Sequence, residues 1–234
     1  MENPSEVFLF VPNLIGYFRI VAAIISFYFM PTSPCITFVW YMLSAGADAV
    51  DGYAARYLNQ CSRVGALLDM LTDRCATVCL IMVLGQFYPR WMVLLQLIVF
   101  LDITSHWIHM YSAMLKGTTS HKIIDLSEHP LLRIYYTSRM VLFWMCAGNE
   151  VFYVMLYMLH FGQGYLLGVP WFLLLAIVTA PVAAVKAFIS VIQLVAALRN
   201  VAAFDVEERA QAKAKAPPSA DIPAGTTAVH EHAN

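Results

Sequence analysis

Long apolar runs alternate with short polar segments along most of the chain. Six of these runs are about 20 residues long, the length that an α-helix needs to cross a bilayer. Proline and glycine punctuate the breaks between several of them, as in MPTSPC at positions 30–35 and YPR at positions 88–90. The pattern predicts an all-α integral membrane protein, with transmembrane helices near 10–30, 36–57, 65–87, 91–112, 139–160 and 166–197.

Composition supports a membrane protein. Of the 234 residues, 60% are hydrophobic and 12% are charged, against about 25% charged in ordinary soluble domains. The formal net charge of −1 gives no overall attraction for nucleic acid, so we expect no nucleic-acid partner. The chain becomes charged and then Ala/Pro-rich from position 206. We therefore predict a membrane domain at 1–205 and a disordered cytosolic tail at 206–234.

Lysine and arginine are distributed unequally between the two sides that six spans define. Cytosolic ends of membrane proteins are enriched in these residues. The side that holds both termini has ten of them, and the opposite side has only Arg90. This asymmetry predicts that the N- and C-termini lie in the cytosol.

Four aspartates interrupt the apolar pattern around the second and third spans. Asp48 and Asp51 share one helix face, and Asp69 and Asp73 share another. If the chain turns near Cys61, Asp48 and Asp73 lie about 18–20 Å from the turn, and Asp51 and Asp69 about 12–15 Å. The antiparallel helices can therefore bring all four carboxylates together in one polar cavity that faces the cytosol.

The negative charge of these carboxylates needs to be compensated inside the membrane. One aspartate in the middle of a spanning helix costs roughly 2.5–3.5 kcal/mol, so four exposed to lipid would cost about 10 kcal/mol. Oxygen ligands suit Mg²⁺ or Mn²⁺, and two such ions can stabilise substitution at phosphorus. The alternative is a buried ion-pair network with Arg56, Arg63 and Arg74, but this leaves the small residues Gly52 and Gly65 unexplained.

Written out, the stretch reads Asp48-x₂-Asp51-Gly52-x₂-Ala55-Arg56-x₈-Gly65-x₃-Asp69-x₃-Asp73. It resembles the signature of the CDP-alcohol phosphatidyltransferases at every specified position. The resemblance implies a six-helix membrane fold, commonly a homodimer, with the site open to the cytosol. A eukaryotic member would lie in the endoplasmic reticulum.

The resemblance also implies roles for individual residues. Asp48, Asp51 and Asp69 would bind metal, and Asp73 would bind or border the second metal and act as the general base. The CDP-diacylglycerol donor would contact Gly52 and Arg56. Ser62 occupies a hydroxyl position associated with nucleotide binding, although a plain loop residue is the alternative. Asn13 is either a nucleotide contact or a helix-capping residue.

Further segments, including LLDMLTDRCAT and SHKIIDLSEHPLLRIYYTSR, resemble the branch of this family that uses myo-inositol. On that basis the expected reaction transfers the phosphatidyl group from CDP-diacylglycerol to myo-inositol and releases CMP. Glycerol phosphate or serine remains an alternative acceptor. Candidates for the acceptor pocket are polar residues of the second half of the chain: Asp125, Arg133, Arg139, Asn149, Glu150 and Lys186.

Three weaker alternatives stay open. Intramembrane carboxylates also occur in cation or proton transporters, but that class gives no reason for Gly52, Arg56 and Gly65. A prenyltransferase needs a second, distant acidic pair, and residues 74–200 contain no second DxxD. His106 and His109 share a helix face, where polar packing is favoured over a metal site.

Overall fold

The structure is a computed structural model that describes residues 4–116, residue 135 and residues 137–215. Long helices dominate the described residues, with one short hairpin. In chain order the elements are α1 (Pro4–Phe8), α2 (Val11–Phe29), α3 (Pro34–Tyr57), α4 (Arg63–Phe87), a 3₁₀ turn (Pro89–Trp91), α5 (Met92–Lys116), α6 (Arg139–Phe161), β1 (Tyr165–Leu166), β2 (Val169–Pro170) and α7 (Trp171–Lys215).

Local sequence explains several helix ends. Pro12 and Pro34 lie in the first turns of α2 and α3, where a missing N–H costs nothing. Ser62 caps α4, because its Oγ accepts a hydrogen bond from the Gly65 N–H at 2.9 Å. Ser138 caps α6 in the same way through the Val141 N–H.

The final predicted span differs from the structure at both ends. Residues 165–170 form an antiparallel hairpin, whose tight turn places Leu167 and Gly168 at positive φ. α7 then begins at Trp171 and runs to Lys215. It therefore includes residues 206–215 of the predicted tail, which are rich in the strong helix formers Ala, Glu, Lys, Arg and Gln.

Four helical segments of the described chain are long and apolar enough to cross a membrane: Val11–Phe29, Pro89–Leu115, Met140–Phe161 and Trp171–Ala214. α3 and α4 have 24 and 25 residues but carry the aspartates and several arginines. Large apolar side chains cover the outer surface, and Val21, Val93 and Ile177 are 54%, 69% and 62% exposed. An all-α membrane protein is thus confirmed.

α4 lies at the centre of the bundle. It packs against α2, α5 and α6, while α7 packs against α5 and α6. Leu80 and Leu84 of α4 meet Tyr153 and Tyr157 of α6 in the main apolar core. Side chains of α4 can therefore contact side chains from three other helices.

Small and hydroxyl residues join α2 closely to α3. Ala22 and Ala23 are buried on the inner face of α2. The Ser26 hydroxyl donates to the Thr37 carbonyl at 3.1 Å, and the Ser44 hydroxyl donates to the Arg19 carbonyl at 3.0 Å. Close approach of this kind is typical of helix pairs in membranes, and it fixes the position of Arg19.

Candidate active site

Arg19 of α2 lies at the centre of the four aspartates. Its Nη2 is 2.8 Å from Asp48 Oδ1 and also pairs with Asp73 Oδ1. Its Nη1 lies 2.7 Å from both Asp51 Oδ2 and Asp69 Oδ1. The arginine side chain is 1% exposed, so three helices bury this cation among four carboxylates.

The predicted convergence of the aspartates is therefore confirmed. One carboxylate oxygen from each of Asp48, Asp51 and Asp69 lies within 4.8 Å of the other two. Oxygens on one Mg²⁺ lie at most about 4.2 Å apart, so small side-chain movements would let these three share an ion. The donor set fits a hard divalent cation.

The pairing arginine is not one that the sequence indicated. Arg56 and Arg63 are exposed, and neither is paired with an acid among the described residues. Arg74 approaches Asp73 Oδ2 only to 3.9 Å. Arg19 was missed because it is a single polar residue in an apolar span. A buried intramembrane arginine is nevertheless a signal of function by itself.

A cavity of about 170 Å³ opens beside the cluster, at the α3–α4 turn. Asp51 and Asp69 line it together with Gly52, Arg56 and Ser62, which the resemblance assigned to the donor. Asn13 also lines this cavity, and its buried Oδ1 has no hydrogen-bond partner among the described residues. A Cβ on Gly65 would come 2.7 Å from that oxygen, so a larger residue there would force the Asn13 side chain to move.

A larger cavity of about 460 Å³ is lined by Asp48 and Asp73 together with residues of five helices. Its volume lies within the usual range for small-molecule sites. Glu150 of α6 lines it and accepts hydrogen bonds from the Tyr41 hydroxyl at 2.8 Å and the Thr77 hydroxyl at 2.7 Å. The acidic cluster thus contributes residues to both cavities.

α4 carries much of this chemistry on one face. Asp69, Asp73 and Thr77 are spaced by four residues, so they follow one another along the helix. From Asp69 to Thr77 the axial rise is about 12 Å. Asp69 lines the smaller cavity, whereas Asp73 and Thr77 line the larger one.

A second polar cluster lies beside the larger cavity. Asp102 of α5 accepts two hydrogen bonds from Arg74 Nη1, at 2.9 and 3.1 Å, and lies 3.8 Å from Lys186 Nζ. His106 Nδ1 lies 2.8 Å from the Asp102 carbonyl oxygen, in agreement with polar packing. Sequence reasoning missed the role of Asp102 as the partner of both cations.

The acceptor-pocket candidates divide into three groups. Glu150 and Lys186 line the larger cavity. Asn149 is buried and lines a smaller pocket beside Asp102. Asp125 and Arg133, and the side chain of Arg139, lie outside the described residues.

Spanning helices around a carboxylate site with two adjoining cavities define an integral membrane protein suited to a charged substrate and a divalent cation. The chain belongs to the CDP-alcohol phosphatidyltransferase family, whose model matches residues 9–161.

Curated relatives extend the similarity beyond that segment. The protein named CDP-diacylglycerol–inositol 3-phosphatidyltransferase of Rattus norvegicus is 57% identical over 90% of this chain and 100% of its own length. Proteins of the same name from Drosophila melanogaster and Saccharomyces cerevisiae are each 47% identical, over 92% and 68% of this chain and 94% and 72% of theirs. No solved structure matches the chain.

Proposed function

We propose that this protein transfers the phosphatidyl group of CDP-diacylglycerol to myo-inositol, giving phosphatidylinositol and CMP. The observation that carries the proposal is the similarity to relatives named for this reaction, which covers 90% of the chain. The site supports it with a complete family signature whose four aspartates meet in space.

The smaller cavity is the proposed site for the CDP part of the donor. Arg56 provides a guanidinium suited to phosphate oxygens, and Gly52 leaves space beside it. The buried Asn13 Oδ1 needs a donor, which the exocyclic amine of cytosine can supply. Ser62 already caps α4 through one lone pair, and its hydroxyl proton remains available for the nucleotide.

Asp48, Asp51, Asp69 and Asp73 are the proposed ligands of two Mg²⁺ or Mn²⁺ ions. Within the part of the chain that the structure describes, Arg19 is the one cation that contacts all four carboxylates, and Arg74 reaches only Asp73, at 3.9 Å. This excess of negative charge would repel a diphosphate, and two divalent ions would reverse it. When bound, the ions supply stabilisation of negative charge on the phosphate oxygens.

The proposed chemical step is direct substitution at the phosphorus that bears diacylglycerol. An inositol hydroxyl oxygen forms the new P–O bond, the bond to the CMP phosphate oxygen breaks, and Asp73 takes the hydroxyl proton. Asp73 is placed for this role because it belongs to the acidic cluster and also lines the larger cavity. Arg56 holds the departing CMP, so positioning of both substrates contributes much of the rate.

The proposed membrane arrangement has six spans, α2–α7, with both termini in the cytosol. α3 and α4 count as spans because their four aspartates pair with the buried Arg19 of α2 instead of facing lipid. The site then opens to the cytosol, where inositol and the released CMP are soluble. We also propose a homodimer in the endoplasmic reticulum membrane, surrounded by lipid.

A radiolabel assay tests this function. Purified protein in lipid nanodiscs is incubated with CDP-diacylglycerol and tritiated myo-inositol, with MgCl₂, MnCl₂ or EDTA. We expect label in lipid with either metal and none with EDTA, and Asp73→Asn is the inactive control. Conversion with glycerol phosphate or serine, but none with inositol, would contradict the assignment of myo-inositol as the acceptor.

A further inference from the structure

Glu150 presents a fixed carboxylate to the larger cavity. Its Oε2 accepts a hydrogen bond from Tyr41 of α3, and its Oε1 accepts one from Thr77 of α4. Glu150 itself belongs to α6, so three helices determine the orientation of this one group. Tyr41 and Thr77 are both buried, which keeps the two donors in place.

The carboxylate keeps hydrogen-bonding capacity for a ligand. An ionised carboxylate has about four lone-pair sites, two on each oxygen. Tyr41 and Thr77 each use one, on different oxygens. Each oxygen can therefore accept one more hydrogen bond, and two adjacent ring hydroxyls of a polyol can donate to the pair.

The cations around the larger cavity are already paired. Arg19 binds the four aspartates. Arg74 and Lys186 both pair with Asp102, at 2.9 Å and 3.8 Å. Within the described residues, the cavity lining therefore has no spare Lys or Arg for a phosphate or carboxylate group, and Glu150 would repel one.

We propose that Glu150 recognises the acceptor alcohol, accepting hydrogen bonds from two neighbouring hydroxyls and selecting a neutral polyol over an anionic acceptor. This rests on the proposed transferase function and adds the residue that sets its acceptor specificity. Since Glu150 and Asp73 line the same cavity, a polyol held at one can present a further hydroxyl to the other.

Acceptor kinetics of the full-length protein in nanodiscs test this role. Glu150→Gln keeps the shape but loses the charge, and it cannot accept from both Tyr41 and Thr77. We expect KM for inositol to rise roughly 10- to 100-fold, as for loss of hydrogen bonds to a charged group. KM for CDP-diacylglycerol should not change. Glu208→Gln, at an exposed site near the end of α7, is the matched control and should change neither value.

Deoxy-inositols that each lack one ring hydroxyl test the hydrogen bonds themselves. Wild-type protein should discriminate strongly against the analogues that lack a hydroxyl bound by Glu150. Glu150→Gln should discriminate little, because the interaction that the analogue removes is already absent. A purely structural role of Glu150 would leave the pattern of discrimination unchanged.

Four further results would overturn the proposal. One is a Glu150→Gln protein with unchanged KM for inositol, and another is an equal rise in KM for both substrates. If Glu150→Gln fails to fold, Tyr41→Phe replaces it, and an unchanged inositol KM there also overturns the proposal. Wild-type protein that uses an anionic acceptor in place of inositol would overturn this inference and the proposed function together.

Discussion

Replacing Arg19 with methionine removes a cation that contacts all four aspartates. Methionine has a similar length and keeps the apolar packing of α2. The Arg19 side chain is 1% exposed, and its guanidinium lies 2.7–2.8 Å from three carboxylates. Removal of one partner from a buried ion pair typically costs about 3–5 kcal/mol.

The exposure of the partners sets the expected magnitude. The side chains of Asp48, Asp69 and Asp73 are 42%, 46% and 37% exposed, so water can replace part of the lost interaction. We therefore expect the free energy of unfolding to fall by about 3 kcal/mol, the lower end of that range. For a chain of this size the melting temperature should fall by roughly 6–12 °C.

Thermal unfolding in detergent, followed by tryptophan fluorescence in EDTA, measures this loss. Added MnCl₂ should stabilise Arg19→Met more than wild type, because the ions then compensate carboxylates that the arginine no longer neutralises. Arg19→Lys keeps the charge, so its melting temperature should lie between those of wild type and Arg19→Met. Equal melting temperatures of wild type and Arg19→Met in EDTA would refute the proposed compensation by Arg19.

Three further changes separate the parts of the site. Asp73→Asn should abolish phosphatidylinositol synthesis and leave CDP-diacylglycerol binding by equilibrium dialysis intact; retained turnover would exclude Asp73 as the base. Gly65→Ala places a methyl group 2.7 Å from Asn13 Oδ1, so KM for CDP-diacylglycerol should rise while KM for inositol stays the same. Tyr157→Phe removes a buried hydrogen bond to the Met30 carbonyl, so the free energy of unfolding should fall by about 1 kcal/mol with both KM values unchanged.

The helices of the fold were predictable because the apolar runs are long and their breaks contain proline, glycine or serine. Span boundaries at α2 and α3 agree with the structure within a few residues. The hydropathy pattern predicted least well after position 161. There the apolar pair Leu166 and Leu167 of the hairpin was assigned to the start of the last span. At the other end of α7, hydropathy falls near position 197 although helix propensity does not, so the helix continues.

The aspartates could be placed from helical spacing and one assumed turn, because two antiparallel helices leave few alternatives. The cation among them, Arg19, could not be placed in this way. Arg19 depends on how α2 packs against both α3 and α4, which no local pattern specifies. The Glu150 network could not be predicted for the same reason, since Glu150 lies 109 residues from Tyr41 and 73 residues from Thr77 along the chain.

The regular repeat of α4 has a consequence for how this chain can vary. Asp69, Asp73 and Thr77 reach their positions only because each follows the last by four residues. One inserted residue between them would rotate everything beyond it by about 100° around the helix axis. Substitutions on the outer face of this segment are tolerable, but insertions and deletions within it are not. The number of residues from Asp69 to Thr77 should therefore stay constant wherever this arrangement of donor and acceptor sites is kept.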